Sequence, residues 1–226
     1  METLLYYSQG ACSLTEIIVL EWLGQPYRLC RVERAERASD AYLKINPLGA
    51  VPALRVEDGV LVENSAILLY LCLRQPKSDL IPKPGSWEFN LLNQRLSYLG
   101  SRFHVAFYPY FMPQNYVDDP SLYPEIKDSA VESIQEEAAF VNGLLKDREF
   151  FLGSKRSVLD AYLYAMSRWA KPLFNLPQLF PNLASHQERM EKDPAVRFGL
   201  EIEKKGADVK SRGPFLGHMI FPGTDY

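Results

Sequence analysis

The stretch that decides the fold is Ala53-Leu54-Arg55-Val56-Glu57-Asp58-Gly59-Val60-Leu61-Val62. Two short apolar runs flank Asp58-Gly59, a dipeptide that tolerates positive φ at both central positions of a tight turn. The pattern predicts an antiparallel β-hairpin with strands at Ala53–Val56 and Val60–Val62. The apolar segment Asn64–Leu73 follows directly and predicts a buried helix next to this edge of a sheet.

The segment before the hairpin alternates short strands and helices. Thr3–Tyr7 and Tyr27–Val32 are apolar runs of strand length. Between them, Ser13–Leu23 has apolar residues at helical spacing until Gly24 ends the helix. A helix between two strands implies a parallel crossover. With a short helix predicted at Asp40–Ile45, the order of elements is β-α-β-α-β-β-α.

The remainder of the chain has a different pattern. Residues 75–86 contain three prolines and predict a linker. After the linker, apolar residues recur three and four positions apart and predict helices only. The sequence therefore predicts two domains, an α/β domain over residues 1–78 and an all-helical domain over residues 86–226. The last segment, Gly206–Tyr226, is rich in glycine and proline, and we expect it to be irregular.

Composition limits the class of function. The 226 residues include 25 Lys and Arg against 28 Asp and Glu, a net charge of −3 that excludes a strongly basic nucleic-acid-binding protein. No apolar run is long enough to span a bilayer, and Glu2 stands where a signal peptide carries a basic residue. The three cysteines are an odd number at wide spacing, which argues against a disulfide framework or a zinc site. We expect a cytoplasmic protein without metal, nucleic-acid or membrane partners.

Cys12 is a candidate reactive thiol. It follows a predicted strand and precedes a predicted helix, and the N-terminus of a helix stabilises a thiolate through unpaired N–H groups and its positive dipole end. Its Cys-x-x-Thr motif has no second cysteine, so a disulfide would need a thiol from a partner molecule. The position of Cys12 alone is explained equally well if Cys12 is a small apolar residue that only fills space in the core. We expect Cys30 and Cys72, within an apolar strand and helix, to be inert core residues.

Two other junctions could bind a ligand. Pro52 precedes the first hairpin strand, where its missing N–H does not interrupt the sheet. If the Val51-Pro52 bond is cis, the backbone of Val51 can pair with an extended ligand. Glu63 and Asn64 stand at a strand-to-helix junction, where exposed N–H groups can bind a carboxylate. The alternative for this pair is an ordinary helix N-cap.

Polar residues also recur along the helix after the linker. Ser97, Ser101, His104 and Tyr108 are spaced 4-3-4, which predicts that they share one helix face. Such a face could line a cleft, but a solvated face explains the spacing equally well. Aromatic residues are dense between Tyr108 and Tyr116, which suits an apolar ligand.

In this order, the motifs resemble those of cytosolic glutathione transferases, most closely the bacterial beta class. The resemblance to the superfamily rests on Asn46–Leu54, Glu63–Leu71 and Ser157–Tyr162, the last of which begins with a capping-box pattern at Ser157 and Asp160. The resemblance to the beta class rests on Leu5–Leu14, Phe103-His104, Tyr108-Pro109 and Ser167-Arg168-Trp169. It covers the chain to about residue 205.

The resemblance implies a thioredoxin-like domain followed by a helical bundle domain, assembled as a homodimer. It implies a detoxification enzyme that activates the thiol of glutathione for attack on a small apolar electrophile. Cys12 would sit beside the glutathione sulfur and could form a mixed disulfide with it. Ser13 or Cys12 would donate a hydrogen bond to the thiolate, with Tyr7 nearby and His104 at the edge of the electrophile pocket.

The resemblance also implies binding residues. The contacts predicted for glutathione are Ala50, Val51, Pro52, Glu63, Asn64 and Arg34, with Arg31 and Arg37 as alternatives to Arg34 for the glycyl carboxylate. The predicted electrophile pocket comprises His104, Tyr108, Phe111 and Trp169. Asn64 stands where many relatives have serine, so its bond to the γ-glutamyl carboxylate would differ. Two alternative functions stay open, a glutathione-dependent monothiol disulfide reductase and a non-catalytic glutathione-binding protein of the same fold.

Overall fold

The computed structural model describes residues 3–221. These residues form two compact units, one built from the chain up to Ile81 together with the chain from Glu191 onward, and the other from Pro82–Met190. The first unit is a mixed β-sheet with helices and the second is helical. The α/β unit therefore precedes a helical unit, as the sequence predicts. The helical unit ends before the predicted boundary at residue 226, because the last helix and the segment after it lie in the α/β unit.

The α/β unit is built on a five-stranded sheet with the order β4-β3-β1-β2-β5. The strands are β1 Thr3–Tyr7, β2 Tyr27–Arg31, β3 Ala53–Val56, β4 Gly59–Val62 and β5 Phe215–Met219. The pairs β1–β2 and β2–β5 are parallel, and β1–β3 and β3–β4 are antiparallel. The predicted crossover and hairpin are therefore both confirmed.

The hairpin turn differs in one detail from the prediction. Val56 pairs with Gly59, so Glu57 and Asp58 are the central residues of the turn. Within this turn only Gly59 has a positive φ, 140°, a conformation that glycine adopts without steric cost. The glycine is thus needed at the first position of β4 rather than inside the turn.

The helices have the following bounds in chain order: α1 Leu14–Leu23, α2 Asp40–Leu43, α3 Asn64–Leu73, α4 Trp87–Tyr98, α5 His104–Ala106, α6 Tyr108–Phe111, α7 Tyr123–Leu144, α8 Val158–Ser167, α9 Leu176–Leu179, α10 Pro181–Lys192 and α11 Pro194–Lys205. None of the helices between residues 3 and 221 is both long and apolar enough to cross a membrane.

The packing of α11 on α1 explains why the chain after Glu191 belongs to the α/β unit. A Cβ atom at Gly199 would lie 2.7 Å from Leu14 Cδ1, so a larger residue here would force the buried Leu14 side chain to move. Asp193 accepts a hydrogen bond from the Ala195 N–H at 2.8 Å and caps α11, whose first residue is Pro194. The same carboxylate accepts the indole N–H of Trp22 on α1 at 3.1 Å.

The C-terminal segment corrects the expectation of an irregular tail. Residues of β5 pair in parallel with β2, with Phe215 opposite Tyr27 and Met219 opposite Cys30. Phe215 and Phe221 are buried, and the ring centroids of Phe221 and Tyr42 are 5.9 Å apart. The strand covers the edge of β2, whose backbone groups would otherwise be unpaired. Residues 222–226 of the predicted tail lie outside the described residues.

The helical unit corrects the predicted polar face. A π-helical turn at Leu99–Phe103 separates α4 from α5 and shifts the helical register by one residue. Ser97 and Ser101 are exposed, whereas His104 is buried. The hydroxyl of Ser101 donates to the Ser97 carbonyl oxygen at 2.8 Å. The two serines therefore do not share a face with His104.

The capping box at the start of α8 is confirmed. The carboxylate of Asp160 accepts a hydrogen bond from the Ser157 N–H at 2.8 Å. It also accepts the Phe151 N–H at 2.6 Å and lies 3.0 Å from Nε2 of the buried His186. Asp160 thus fixes the loop before α8 and a helix that follows, which is more than the local motif predicts.

Candidate active site

Cys12 lies at the N-terminal end of α1, at the carboxyl ends of the parallel strands. Its carbonyl oxygen accepts the Thr15 N–H at 2.9 Å, which is a bond of the first helical turn. The side chain is 7% exposed, and its thiol donates to the Val51 carbonyl oxygen at 3.3 Å. Arg37 is close enough for an electrostatic interaction with Cys12. A helix N-terminus and a guanidinium group both favour a thiolate at this position.

The other two cysteines are core residues. Cys30 and Cys72 are buried within β2 and α3, and neither forms a disulfide. Burial raises the pKa of each thiol to about 12, so both remain protonated at neutral pH. This agrees with the prediction that they are inert.

The loop before β3 carries the Val51-Pro52 bond, which is cis. Ala50 shapes this loop, because its carbonyl oxygen accepts hydrogen bonds from the Tyr42 hydroxyl and the Asn46 amide, each at 2.7 Å. The Val51 carbonyl oxygen is taken by the Cys12 thiol, whereas its N–H has no hydrogen-bond acceptor among residues 3–221. Val51 therefore keeps a backbone donor that a ligand can use.

Glu63 and Asn64 stand at the start of α3, but neither caps the helix with its side chain. Glu63 is exposed and has φ of 72°, outside the range usual for L-amino acids. Asn64 is buried, and its side-chain Nδ2 donates to the Cys12 carbonyl oxygen at 3.4 Å and to Glu16 Oε1 at 3.0 Å. The structure thus brings the predicted residues Asn64, Cys12 and Val51 together.

Two predicted thiol donors have other partners. Ser13 is fully buried, and its hydroxyl accepts the Ser8 N–H at 3.2 Å and donates to the Ser8 carbonyl oxygen at 3.4 Å. Tyr7 is also fully buried, and its hydroxyl lies 2.9 Å from His218 Nε2. Burial raises the pKa of Tyr7 well above its ordinary value. Both hydroxyls are therefore bonded within the fold around Cys12, and their part in activating a ligand thiol stays a prediction.

The three candidate arginines differ in their environments. Arg31 donates to Gln9 Oε1 at 2.8 Å and pairs with Glu33. Arg37 is half-buried and its Nε donates to the Ser8 hydroxyl at 3.1 Å, at the base of the loop that carries Cys12. Arg34 is exposed. Arg37 is therefore the arginine with the clearest structural link to the thiol.

The four residues of the predicted electrophile pocket form one aromatic cluster in the helical unit. The ring of His104 lies 5.2 Å from that of Tyr108 and 5.4 Å from that of Trp169, and Phe111 lies 5.4 Å from Trp169. Burial lowers the pKa of His104 to about 4, so its ring is neutral at pH 7. Its Nδ1 lies 3.3 Å from the Tyr162 hydroxyl. Tyr108 and Phe111 are about half-exposed, so the cluster can be reached by an apolar molecule.

Two contributors were missed by the sequence reasoning. Glu16, in the first turn of α1, is a fully buried carboxyl group bonded to Asn64. The available signal was an acidic residue placed between apolar positions of a helix. His218 was missed because β5 was not predicted. Among residues 3–221 no cluster of His, Cys, Asp and Glu has an arrangement that could hold a metal ion.

Comparison with known proteins agrees with this geometry. Family models described as the glutathione S-transferase N-terminal and C-terminal domains match residues 15–79 and 100–194. Glutathione S-transferase GstA of Escherichia coli O157:H7 is 32% identical over 204 residues, which is 88% of this chain and 98% of GstA.

Solved structures extend the comparison. A sphingomonad glutathione S-transferase complexed with glutathione is 36% identical and superposes with a TM-score of 0.80, covering 90% of this chain and all of that one. The beta-class enzyme of Sphingomonas chungbukensis is 36% identical with a TM-score of 0.79, covering 88% and 98%. The chain belongs to the glutathione S-transferase family of enzymes and is most like its bacterial beta class.

Proposed function

We propose that this enzyme binds glutathione in its α/β unit and activates the glutathione thiol for attack on a small apolar electrophile. The observation that carries the proposal is the convergence of Cys12, Val51 and Asn64, which are linked by hydrogen bonds at 3.3 and 3.4 Å. Glutathione is a tripeptide with a thiol, an extended backbone and a γ-glutamyl carboxylate. The thiol would lie next to Cys12, the backbone would pair with the Val51 N–H, and the carboxylate would lie at the N-terminus of α3.

The binding mode follows from these groups. The Val51 N–H donates to the backbone of the glutathione cysteinyl unit. The γ-glutamyl carboxylate lies at the N-terminus of α3, where helix N–H groups bind anions, with Glu63 and Asn64 at its edge. Arg34 was the arginine predicted for the glycyl carboxylate, and Arg37 competes for this role because it contacts the Cys12 loop.

Activation of the thiol is electrostatic. A free cysteine-type thiol has a pKa of about 8.5, so most of it is protonated at neutral pH. The N-terminus of α1 and the Arg37 guanidinium both favour the thiolate at the position of Cys12. Since the hydroxyls of Ser13 and Tyr7 are bonded within the protein, we assign the contact with the glutathione sulfur to Cys12.

The aromatic cluster of the helical unit is the proposed site for the apolar co-substrate. Trp169, Tyr108 and Phe111 offer apolar surface, and the neutral His104 ring adds a polar group without a charge. In conjugation, the thiolate sulfur forms a bond to an electrophilic carbon of the co-substrate. The leaving group, such as chloride, departs with the electron pair of the bond that breaks.

A second candidate function is glutathione-dependent disulfide reduction. It is favoured by the place of Cys12 at a helix N-terminus, whereas burial in the core raises the pKa of Cys30 and of Cys72 to about 12. The Cys12 thiolate would attack the glutathione sulfur of a mixed disulfide between glutathione and another thiol. The S–S bond breaks, the other thiolate leaves, and Cys12 becomes linked to glutathione as a mixed disulfide. A glutathione thiolate then attacks the glutathione sulfur of that mixed disulfide, which forms oxidised glutathione and regenerates the Cys12 thiolate.

The experiment that tests the proposal measures binding and two activities on one preparation. Glutathione binding is measured by isothermal titration calorimetry. Turnover is compared on a chloronitrobenzene and on a mixed disulfide of glutathione. We expect binding and faster conjugation than reduction. Reduction alone favours the second candidate, binding without either activity identifies a non-catalytic glutathione-binding protein, and no binding refutes the proposal.

We also propose that the enzyme is a cytoplasmic detoxification enzyme and a homodimer. The loop that carries Val51 exposes Leu48, which is 69% accessible and has no apolar cover within the described part of the chain. A second copy of the chain is the proposed cover. Sedimentation of wild type and Leu48→Asp tests this, because a dimer that uses Leu48 should dissociate in the variant.

A further inference from the structure

Glu16 is a buried acid that the proposed chemistry leaves unused. It lies in the first turn of α1, four residues after Cys12, and its carboxyl group is fully buried. It forms no ion pair with any residue between 3 and 221, and its side-chain hydrogen-bond partner is the Asn64 amide. A buried carboxyl group without a cation lowers stability unless a hydrogen-bond network compensates it, so its place next to the site calls for a role.

The Asn64 amide connects Glu16 to the site. An asparagine amide has two N–H donors, and those of Asn64 point to the Glu16 carboxyl group at 3.0 Å and to the Cys12 carbonyl oxygen at 3.4 Å. The Cys12 thiol in turn donates to the Val51 carbonyl oxygen at 3.3 Å. A continuous chain of hydrogen bonds therefore joins α1, α3 and the loop before β3.

We propose that Glu16 is a positioning residue for the glutathione site: it holds the Asn64 side chain against Cys12 and thereby fixes the N-terminus of α3 relative to the thiol. The inference rests on the proposed function, since it assigns the γ-glutamyl end of glutathione to that helix terminus. It adds a residue that contacts neither the tripeptide nor the reacting sulfur.

The chemistry of the pair supports this role. Burial raises the pKa of Glu16 well above its ordinary value, so the neutral carboxyl group is the form that the fold favours. A neutral group adds no negative charge beneath a site that receives a carboxylate. With both Asn64 N–H groups used inside the protein, the helix N–H groups of α3 are left to bind the γ-glutamyl carboxylate.

The test separates positioning from general stability by substitution at Glu16. Glu16→Met keeps the length of the side chain and removes its acceptor, and Glu16→Ser is a smaller variant in case the first does not fold. Each should raise KM for glutathione about fivefold, the effect of losing one hydrogen bond of ordinary net strength, and leave kcat within about twofold. Glu16→Gln imitates the neutral carboxyl group and should therefore keep the KM of the wild type.

Two controls complete the design. Glu21 is an acidic residue of the same helix. It accepts a hydrogen bond from the Tyr27 hydroxyl and contacts neither Cys12 nor Asn64, so Glu21→Gln should leave KM for glutathione unchanged. In a double-mutant cycle with Asn64→Ala, the Glu16→Met substitution should add no further increase in KM, because Glu16 acts through Asn64. Additive effects in this cycle overturn the inference.

The outcomes distinguish this inference from the proposed function. A wild-type protein that binds no glutathione refutes both. A wild type that binds, together with folded Glu16 variants of unchanged KM, overturns the inference alone. If no variant other than Glu16→Gln folds, the inference is tested by NMR of the wild type. The side-chain amide protons of Asn64 should then exchange slowly with solvent. Fast exchange would contradict the proposed hydrogen bonds.

Discussion

The hydroxyl of Tyr7 lies 2.9 Å from Nε2 of His218, a residue of the strand that the C-terminal segment adds to the sheet. Both side chains belong to the α/β unit, and Tyr7 is fully buried. The tyrosine at the end of β1 is therefore engaged within the protein. Under the proposed function, Cys12 is then the side chain at the start of α1 that contacts the glutathione sulfur.

Tyr7→Phe should consequently affect stability more than catalysis. The substitution removes one buried hydrogen bond, which contributes about 1 kcal/mol to the free energy of unfolding. We expect kcat for conjugation to fall by less than about threefold, because under the proposed function the Tyr7 hydroxyl does not contact the glutathione thiol. Thermal unfolding and steady-state kinetics on one preparation check both values. A loss of kcat of two orders of magnitude would show instead that Tyr7 is a direct donor.

Deletion of residues 211–226 should destabilise the α/β unit. It removes β5, leaves the edge of β2 unpaired and takes away the partner of Tyr7. We expect the melting temperature to fall by at least about 5 °C, because 1 kcal/mol shifts the midpoint of a protein of this size by roughly 2–4 °C.

The matched control for the deletion is Ile220→Ser. Ile220 is 81% exposed and lies on the same segment, so this change should leave the melting temperature within about 1 °C. Equal melting temperatures for the deletion and the wild type would mean that β5 contributes nothing to the stability of the sheet.

The elements predicted correctly from sequence are those with local signals. The hairpin rests on glycine at position 59, and the capping box on the three-residue spacing of Ser157 and Asp160. The strand β5 escaped prediction because Gly217, at φ of 108°, interrupts its apolar pattern, and because its partner β2 is distant in sequence. Pairing of that kind depends on tertiary structure.

In the candidate site, too, the features with local sequence signals could be predicted, and those that depend on tertiary structure could not. Cys12, Val51 and Asn64 could be singled out from the sequence because each stands at an element boundary with a recognisable residue type, and hydrogen bonds link the three in the structure. The hydrogen bonds of Ser13 with Ser8 and of Glu16 with Asn64 were not predicted, because the direction of a buried side chain is decided by its neighbours. Likewise, a single π-helical turn moved His104 away from the face of Ser97 and Ser101, and nothing in the spacing indicates such a turn.

Stability should depend on pH between 4 and 6.5 through His104. Burial lowers the pKa of this residue to about 4, against about 6.5 in the unfolded chain. The unfolded state therefore binds a proton first as the pH falls, so the stabilising contribution is complete above pH 6.5 and is lost towards pH 4.

The measurement is the free energy of unfolding of wild type and His104→Phe across this range. Their difference should change by up to about 3 kcal/mol, the value that a shift of this size implies. The variant should lose less stability than the wild type on acidification. Parallel curves for the two proteins would mean that His104 is protonated equally easily in the folded and unfolded states.

Substitutions at the capping box should differ in severity. Asp160 accepts hydrogen bonds from two backbone N–H groups and lies next to His186, all of them in buried surroundings. Asp160→Ala should therefore lower the free energy of unfolding by about 3 kcal/mol, because several buried donors lose their acceptor. Ser157→Ala removes only the hydroxyl of the capping box and should lower the free energy of unfolding by about 1 kcal/mol. Denaturant unfolding gives both values, and equal losses would contradict the central place of Asp160.

The thiol itself gives the last prediction. Incubation with oxidised glutathione should add one glutathionyl group to the wild type, measured as intact mass, because Cys12 is the cysteine at the helix terminus. Cys12→Ala should lose the adduct, and Cys30→Ala and Cys72→Ala, the matched controls, should keep it, since burial raises the pKa of both remaining thiols to about 12. Conjugation should survive in Cys12→Ala at a reduced rate, because the N-terminus of α1 and Arg37 still favour the glutathione thiolate. An adduct that persists in Cys12→Ala would place the reactive thiol elsewhere, whereas complete loss of conjugation would make Cys12 essential to the transfer step.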